Sequence, residues 1–141
     1  MIVGFTGTRS GLTEAQRETL KRVLHIDWSP VTSPPLFIHG DCVGADAEAA
    51  TLAYEMGYIV IAHPSDIPAM TAHTLAHERH EPKPPLERNR DIVNECNMLV
   101  ACPKGYNEER RSGTWSTIRY AQRVQRPLFI VWPDGTTNTT N

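Results

Sequence analysis

The sequence contains little cysteine. Only three cysteines occur among its 141 residues, Cys42, Cys96 and Cys102, and none has the C-x-x-C spacing of a metal or redox site. An odd number of widely separated cysteines argues against a disulfide framework, which excludes small disulfide-stabilised secreted proteins. A reducing compartment fits best, and we expect the protein to be cytoplasmic.

A basic surplus and long apolar runs are also absent. Fourteen Lys and Arg against sixteen Asp and Glu give a formal net charge of −2, whereas general nucleic-acid binders usually carry excess positive charge. No run approaches the roughly 20 apolar residues that span a bilayer. The first residues reach Gly4 without a basic region, which is typical of a buried strand and not of a signal peptide. We therefore expect no membrane or nucleic-acid partner, although a small anionic ligand remains compatible with this composition.

What the sequence does contain is an alternation of apolar runs with helical patterns. The runs lack polar–apolar alternation, which favours a parallel sheet covered by helices on both faces. We predict an α/β fold with about five parallel strands, forming a single domain over 1–133, followed by a flexible polar tail over 134–141. The predicted strands are 2–6, 36–39, 58–62, 98–101 and 128–132.

Helices are predicted between these strands. Thr13 and Gln16 have the spacing of a capping box, and Gly57 is a typical C-terminal stop. Residues 63–85 contain five prolines and four histidines, so we predict mostly loop or lid there, with a short helix over 69–79 as an alternative. The predicted helices are 13–25, 45–56, 86–96 and 113–125, and prolines make 29–35 a turn-rich connection.

The loop after the first predicted strand suits an anion. In parallel α/β sheets, ligands bind at the carboxyl ends of the strands, near the switch in strand order. Gly7, Thr8, Arg9 and Ser10 combine close backbone approach with hydroxyl, amide and guanidinium donors for phosphate. The motif is neither a Walker A motif nor a complete G-x-G-x-x-G, and a plain strand-to-helix turn is the alternative interpretation.

The loop after the second predicted strand places two carboxylates beside a helix start. The amides and dipole of that helix favour an anion. Asp41 and Asp46 do not favour phosphate themselves, so we assign them to ribose hydroxyls or to acid–base catalysis; Asp46 is equally a candidate helix cap. The ligand-binding candidates in this loop are His39, Gly40, Gly44 and Ala45.

The remaining candidates lie at the starts of the last two predicted helices. Small hydroxyl residues beside Arg110 and Arg111 suit phosphate, and the neighbouring tryptophan either stacks on a base or packs in the core. Arginine at a helix start opposes the helix dipole, a local conflict typical of functional sites and also of a solvated charge pair. These candidates are Ser112, Gly113, Thr114 and Trp115, together with Arg88, Asn89 and Arg90.

Histidines give a weaker signal. On a helix, His73, His77 and His80 would share one face, as in some metal sites. The pattern lacks H-E-x-x-H, and a polar surface explains it better. We therefore predict neither a metal nor a cofactor.

Four segments, in this order, resemble the SLOG superfamily: GFTGTRSG, HGDCVGADAEA, ERNRDIV and RSGTW-x-TIRYA. This superfamily contains Rossmann-like proteins related to the LONELY GUY phosphoribohydrolases and to the DNA-processing DprA proteins. The resemblance covers residues 1–133. It implies a Rossmann-like fold, a nucleotide or phosphoribosyl ligand at the loops named above, and a homodimer.

The sequence also departs from the motif of the related phosphoribohydrolases. Gly113 and Thr114 correspond to the last glycine and threonine of the PGGxGTxxE motif of the phosphoribohydrolases, so the position of their catalytic glutamate falls on Thr117. Arg88 or Arg90 is similar to the arginine those enzymes use near the ligand. Three functions are compatible: an N-glycosidic hydrolase of nucleoside monophosphates that relies on Asp41 or Asp46, a non-catalytic nucleotide sensor or sequestering protein, and a DNA-associated accessory protein. The near-neutral charge counts against the third.

Overall fold

Seven strands form one sheet in the computed structural model, which describes residues 1–25 and 33–140. The strands are β1 (Ile2–Gly7), β2 (Leu36–His39), β3 (Ile59–Ala62), β4 (Glu78–Arg79), β5 (Met98–Cys102), β6 (Leu128–Val131) and β7 (Thr137–Thr140). Their spatial order is β4-β3-β2-β1-β5-β6-β7, and all neighbours are parallel except β6 and β7. The order reverses where β1 meets β5, so the loops after these two strands flank a crevice at their carboxyl ends.

The four predicted helices are confirmed, with ends displaced by at most two residues. They are α1 (Glu14–Val23), α2 (Ala45–Glu55), α3 (Pro85–Glu95) and α4 (Gly113–Arg123). The capping box forms, because Thr13 and Gln16 each accept the other's backbone amide. Within 1–25 and 33–140, no helix is long and apolar enough to cross a membrane. The predicted connection over 29–35 lies mainly outside the described residues.

Two apolar cores lie on opposite faces of the sheet. Successive residues of β5 alternate between them, with Val100 in one core and Leu99 in the other. Helices α1 and α2 pack on the face of Val100, and α3 and α4 pack on the face of Leu99. This arrangement confirms the predicted α/β fold with helices on both faces.

The predicted count of about five strands is too low, partly because β4 forms where a helix over 69–79 was the alternative. That helix is absent, and only a 3₁₀ turn at Pro68–Met70 is present there. The amides of His77 and His80 donate to the carbonyl oxygens of Val60 and Ala62, at 2.9 Å each. The free edge of β3 therefore holds this segment extended.

Residues 137–140, which the sequence places in a flexible polar tail, pair with β6 as β7. A turn brings the chain back, with Gly135 at a φ of +85° and a 2.8 Å hydrogen bond from the Trp132 amide to the Thr136 carbonyl oxygen. Threonine fits an extended strand well. Because this segment is polar, it lacks the apolar run by which five of the other strands are predicted.

Candidate functional site

A cavity of about 370 Å³ lies at the crevice beside β1 and β5. Its walls come from the loops after β1, β2 and β5, from the start of α3 and from Met70. Most of the site residues that the sequence suggests line it: Gly7, Thr8, Arg9, Ser10, Gly40, Asp46, Arg88, Asn89, Ser112, Gly113 and Thr114. Outside this lining lie His39, Asp41, Gly44, Ala45, Arg90 and Trp115.

Gly44 and Ala45 hold the loop after β1 in position. The Ala45 amide donates to the carbonyl oxygen of Thr8 at 2.9 Å, and the Thr8 amide donates to that of Cys102 at 3.1 Å. A β-carbon on Gly44, whose φ is +90°, would overlap the carbonyl oxygen of Arg9. The first amide of α2 is therefore engaged within the protein.

Asp46 is the buried carboxylate of the cavity, with 4% of its surface exposed. In the described part of the chain, both hydrogen bonds to this side chain reach Oδ2, from the amides of Gly40 (3.0 Å) and Cys42 (3.3 Å), so Oδ1 is available to a ligand. Burial raises the pKa of Asp46 to about 6, although Arg88 and the two amides oppose the shift. A carboxyl group that titrates close to neutrality can act as an acid or a base.

Arg88 also lines the cavity, next to Asp46. It is 4% exposed, and its Nη1 donates to the carbonyl oxygens of Gly40 and His63. A side chain on Gly40 would collide with Arg88 and approach Asp46 closely, so the β2 loop requires glycine here. Arg90, in contrast, is exposed and stacks over an aromatic ring of α4.

The start of α4 faces the cavity. Ser112 caps this helix by accepting the Trp115 amide at 3.2 Å. The Trp115 ring belongs to the core, 6.1 Å from that of Trp132, which favours the packing interpretation of this residue. Thr117 lines the cavity, and its hydroxyl donates to the Gly113 carbonyl oxygen at 2.9 Å. The position where the resemblance places a glutamate thus faces the cavity without a carboxylate.

Positive charge predominates in the cavity lining. Its charged residues are Arg9, Arg88, Lys104 and Arg111 against Asp46 and Glu109. Across residues 1–25 and 33–140, Arg9, Lys104 and Arg111 have no ion-pair partner. Sequence reasoning did not single out Lys104, Glu109 or Met70, because a charged loop carries no pattern that tells which residues turn inward.

Asp41 anchors residues 70–79 and does not line the cavity. It is fully buried, its Oδ1 accepts the amide and the hydroxyl of Thr74 at 3.0 and 2.6 Å, and its Oδ2 pairs with Arg79. Burial alone would raise the pKa of Asp41, but Thr74 and Arg79 together lower it below its ordinary value. A carboxylate engaged in this way supports the segment that carries Met70 to the cavity wall.

The histidines lie outside the cavity lining. His39 is buried and its Nδ1 accepts the Asp41 amide at 2.9 Å; burial lowers the pKa of His39 to about 4, which leaves it neutral at pH 7. His73, His77 and His80 share no helix face. His73 adopts a φ of +56°, and His77 accepts the amide of Val60 at 2.9 Å.

Comparison with solved structures identifies the architecture. The molybdenum cofactor binding protein from the phototrophic bacterium Rippkaea orientalis is 18% identical, with a TM-score of 0.64 over 93% of this chain and 76% of that protein. The fold is Rossmann-like. A second similar structure, the structural genomics target TM1055, is 18% identical, with a TM-score of 0.61 over 90% of this chain and 71% of that one. No protein-family model and no curated protein matches the sequence.

Proposed function

We propose that the protein binds a small phosphorylated ribose compound of the nucleotide type in the cavity described above. The observation that carries the proposal is the group Arg9, Lys104 and Arg111, which lines the cavity and has no ion-pair partner within the described residues. Unpaired cations beside a helix N-terminus favour a phosphate group. The phosphate would therefore lie between the loops after β1 and β5.

The rest of the cavity suits the remainder of such a ligand. Met70, Pro85 and Leu86 provide an apolar wall for a base or a sugar face, and Asp46 can accept hydrogen bonds from ribose hydroxyls. A volume of about 370 Å³ lies within the usual range for small-ligand pockets. Membership of the SLOG superfamily is part of this proposal. A small-molecule site in this fold has a parallel in the protein named as binding a molybdenum cofactor.

The test is a thermal-shift screen with ribose 5-phosphate, nucleoside monophosphates, ADP-ribose and cyclic nucleotides, followed by calorimetry of each compound that stabilises the protein. We expect Arg111→Ala to weaken binding about tenfold or more. Arg110→Ala is the matched control, since it removes the same charge from the same loop outside the cavity lining. No stabilisation by any phosphorylated compound, or equal losses in both variants, would contradict the proposal.

Hydrolysis of the N-glycosidic bond is a second candidate function, favoured by Asp46. Water would add to the anomeric carbon and the base would leave with a proton, while a nearby carboxylate stabilises the cationic sugar. Chromatography of each binding mixture detects released base and ribose 5-phosphate. We expect Asp46→Asn to abolish any such turnover with the protein still folded. Intact ligand throughout would instead indicate a sensor or sequestering protein, which the threonine at position 117 favours.

A further inference from the structure

We propose that His63, Asp91 and Glu95 form a binding site for a divalent cation of the zinc type. One ligand atom from each residue, an imidazole nitrogen or a carboxylate oxygen, lies within 4.8 Å of the other two. His63 directly follows β3, and Asp91 and Glu95 lie one turn apart on α3, so two separate elements bring the ligands together. None of the three lines the cavity, and the proposed function does not use them.

His63 is the fixed part of this cluster. It is 4% exposed, its amide donates to the His39 carbonyl oxygen at 2.8 Å, and its own carbonyl oxygen accepts from Arg88. The ring points at Glu95, with 3.2 Å between Nε2 and Oε1. The neutral imidazole is the form that binds metal ions. A cation would take the place of the proton between the ring and Glu95.

The two carboxylates are the adjustable part. Zinc ligands lie about 2.0–2.2 Å from the ion and hence roughly 3.4 Å from one another. The side chains of Asp91 and Glu95 are 26% and 46% exposed. Their rotation can therefore bring the ligand atoms, now within 4.8 Å of one another, to the spacing that zinc requires. The ammonium group of Lys83 now neutralises Asp91 at 2.7 Å, but its side chain is 45% exposed and a divalent cation can displace it.

The donor types select the class of metal. Imidazole with carboxylates suits Zn²⁺, Mn²⁺ or Co²⁺, whereas Mg²⁺ prefers a set of oxygen ligands that retains several waters. We therefore expect the site to bind Zn²⁺ more tightly than Mg²⁺. Loss of the Lys83 charge in Lys83→Gln should strengthen binding, because the cation no longer competes with an ammonium group.

Calorimetric titration of the chelator-treated full chain with Zn²⁺ tests the proposal, with the visible spectrum of Co²⁺ as a second readout. We expect one saturable site, a raised melting temperature, and a Kd weakened about tenfold or more by Glu95→Gln. Glu87→Gln is the matched control, since it removes an exposed charge from the same helix outside the cluster. Asp91→Asn should weaken binding as Glu95→Gln does.

Three outcomes would overturn the proposal. They are no saturable Zn²⁺ binding, equal Zn²⁺ affinity in Glu95→Gln and wild type, and Mg²⁺ binding as tight as that of Zn²⁺. Since Glu95 lies at the surface, its substitution is not expected to unfold the protein, and the melting temperature without metal verifies this. His63→Gln adds a further check wherever that variant retains a cooperative unfolding transition.

Discussion

At the scale of single residues, Asp46 makes stability depend on pH. Its folded-state pKa is about 6 against an ordinary value of 3.8, so between these values the folded protein holds a proton that the unfolded chain releases. The stability it contributes is therefore present at low pH and lost as the pH rises through about 6. Asp46→Asn keeps an oxygen for the Gly40 and Cys42 amides but has no charge. We expect this variant to gain up to about 3 kcal/mol relative to wild type between about pH 4 and pH 7.5.

Urea unfolding of both proteins at the two pH values measures this gain. Groups common to both, such as His39, cancel in the comparison. Asp66→Asn, which changes an exposed carboxyl, is the control and should show no comparable gain. A stability difference between Asp46→Asn and wild type that stays constant with pH would mean that Asp46 does not titrate in this interval.

At the same scale, the role of Gly44 depends on its backbone conformation. Its φ of +90° and the nearby carbonyl group of Arg9 leave no space for a β-carbon. We expect Gly44→Ala to cost about 3 kcal/mol of unfolding free energy, from both the strained φ and the displaced β1 loop. Gly105→Ala is the matched control, because a β-carbon there meets no atom within 4 Å. Equal urea midpoints for the two variants would contradict the close packing of these loops.

At the scale of elements, the segment 70–79 depends on Asp41. It has little regular structure, and Asp41 binds both Thr74 and Arg79. We expect Asp41→Ala to lower the unfolding free energy by about 2 kcal/mol and to accelerate amide exchange at Ala72 and Thr74. Asp41→Ala and Arg79→Ala should couple in a double-mutant cycle, whereas the exposed Glu78→Gln should behave additively with either. Additivity between Asp41 and Arg79 would show that the ion pair does not hold the segment.

The same segment shows what sequence patterns predict and what they miss. Helix α1 is predictable because the capping signal of Thr13 and Gln16 and the apolar period are local. β4 is not, because its two residues are extended only through the edge of β3 and the distant Asp41. The residues of the candidate site are likewise only partly predictable from the sequence. The loop motif 7–10 can be recognised in the sequence. Lys104 and Met70 cannot, because only tertiary packing brings them to the cavity. Trp115 could serve either a ligand or the core by its chemistry, and it packs in the core.

At the scale of the whole molecule, charge is segregated. The chain has a formal net charge of −2, while the cavity lining holds four basic side chains against two carboxylates. The rest of the chain therefore carries an acidic excess, while four basic side chains gather at the crevice where the strand order reverses. An anion is thus favoured at the crevice.

This segregation predicts how salt affects the proposed ligand. Arg9 and Arg111 are solvent-exposed, so their attraction for a phosphate is screened as the Debye length falls from about 10 Å at 0.1 M salt to about 3 Å at 1 M. We expect the Kd of a bound nucleoside monophosphate to rise several-fold over this range, whereas that of the unphosphorylated nucleoside changes little. Calorimetry at both salt concentrations provides the comparison, and Arg111→Ala should flatten the dependence while Arg110→Ala preserves it. If the nucleoside and its monophosphate respond equally to salt, the phosphate does not bind to these cations, and the cavity recognises its ligand through the buried Asp46 and Arg88 instead.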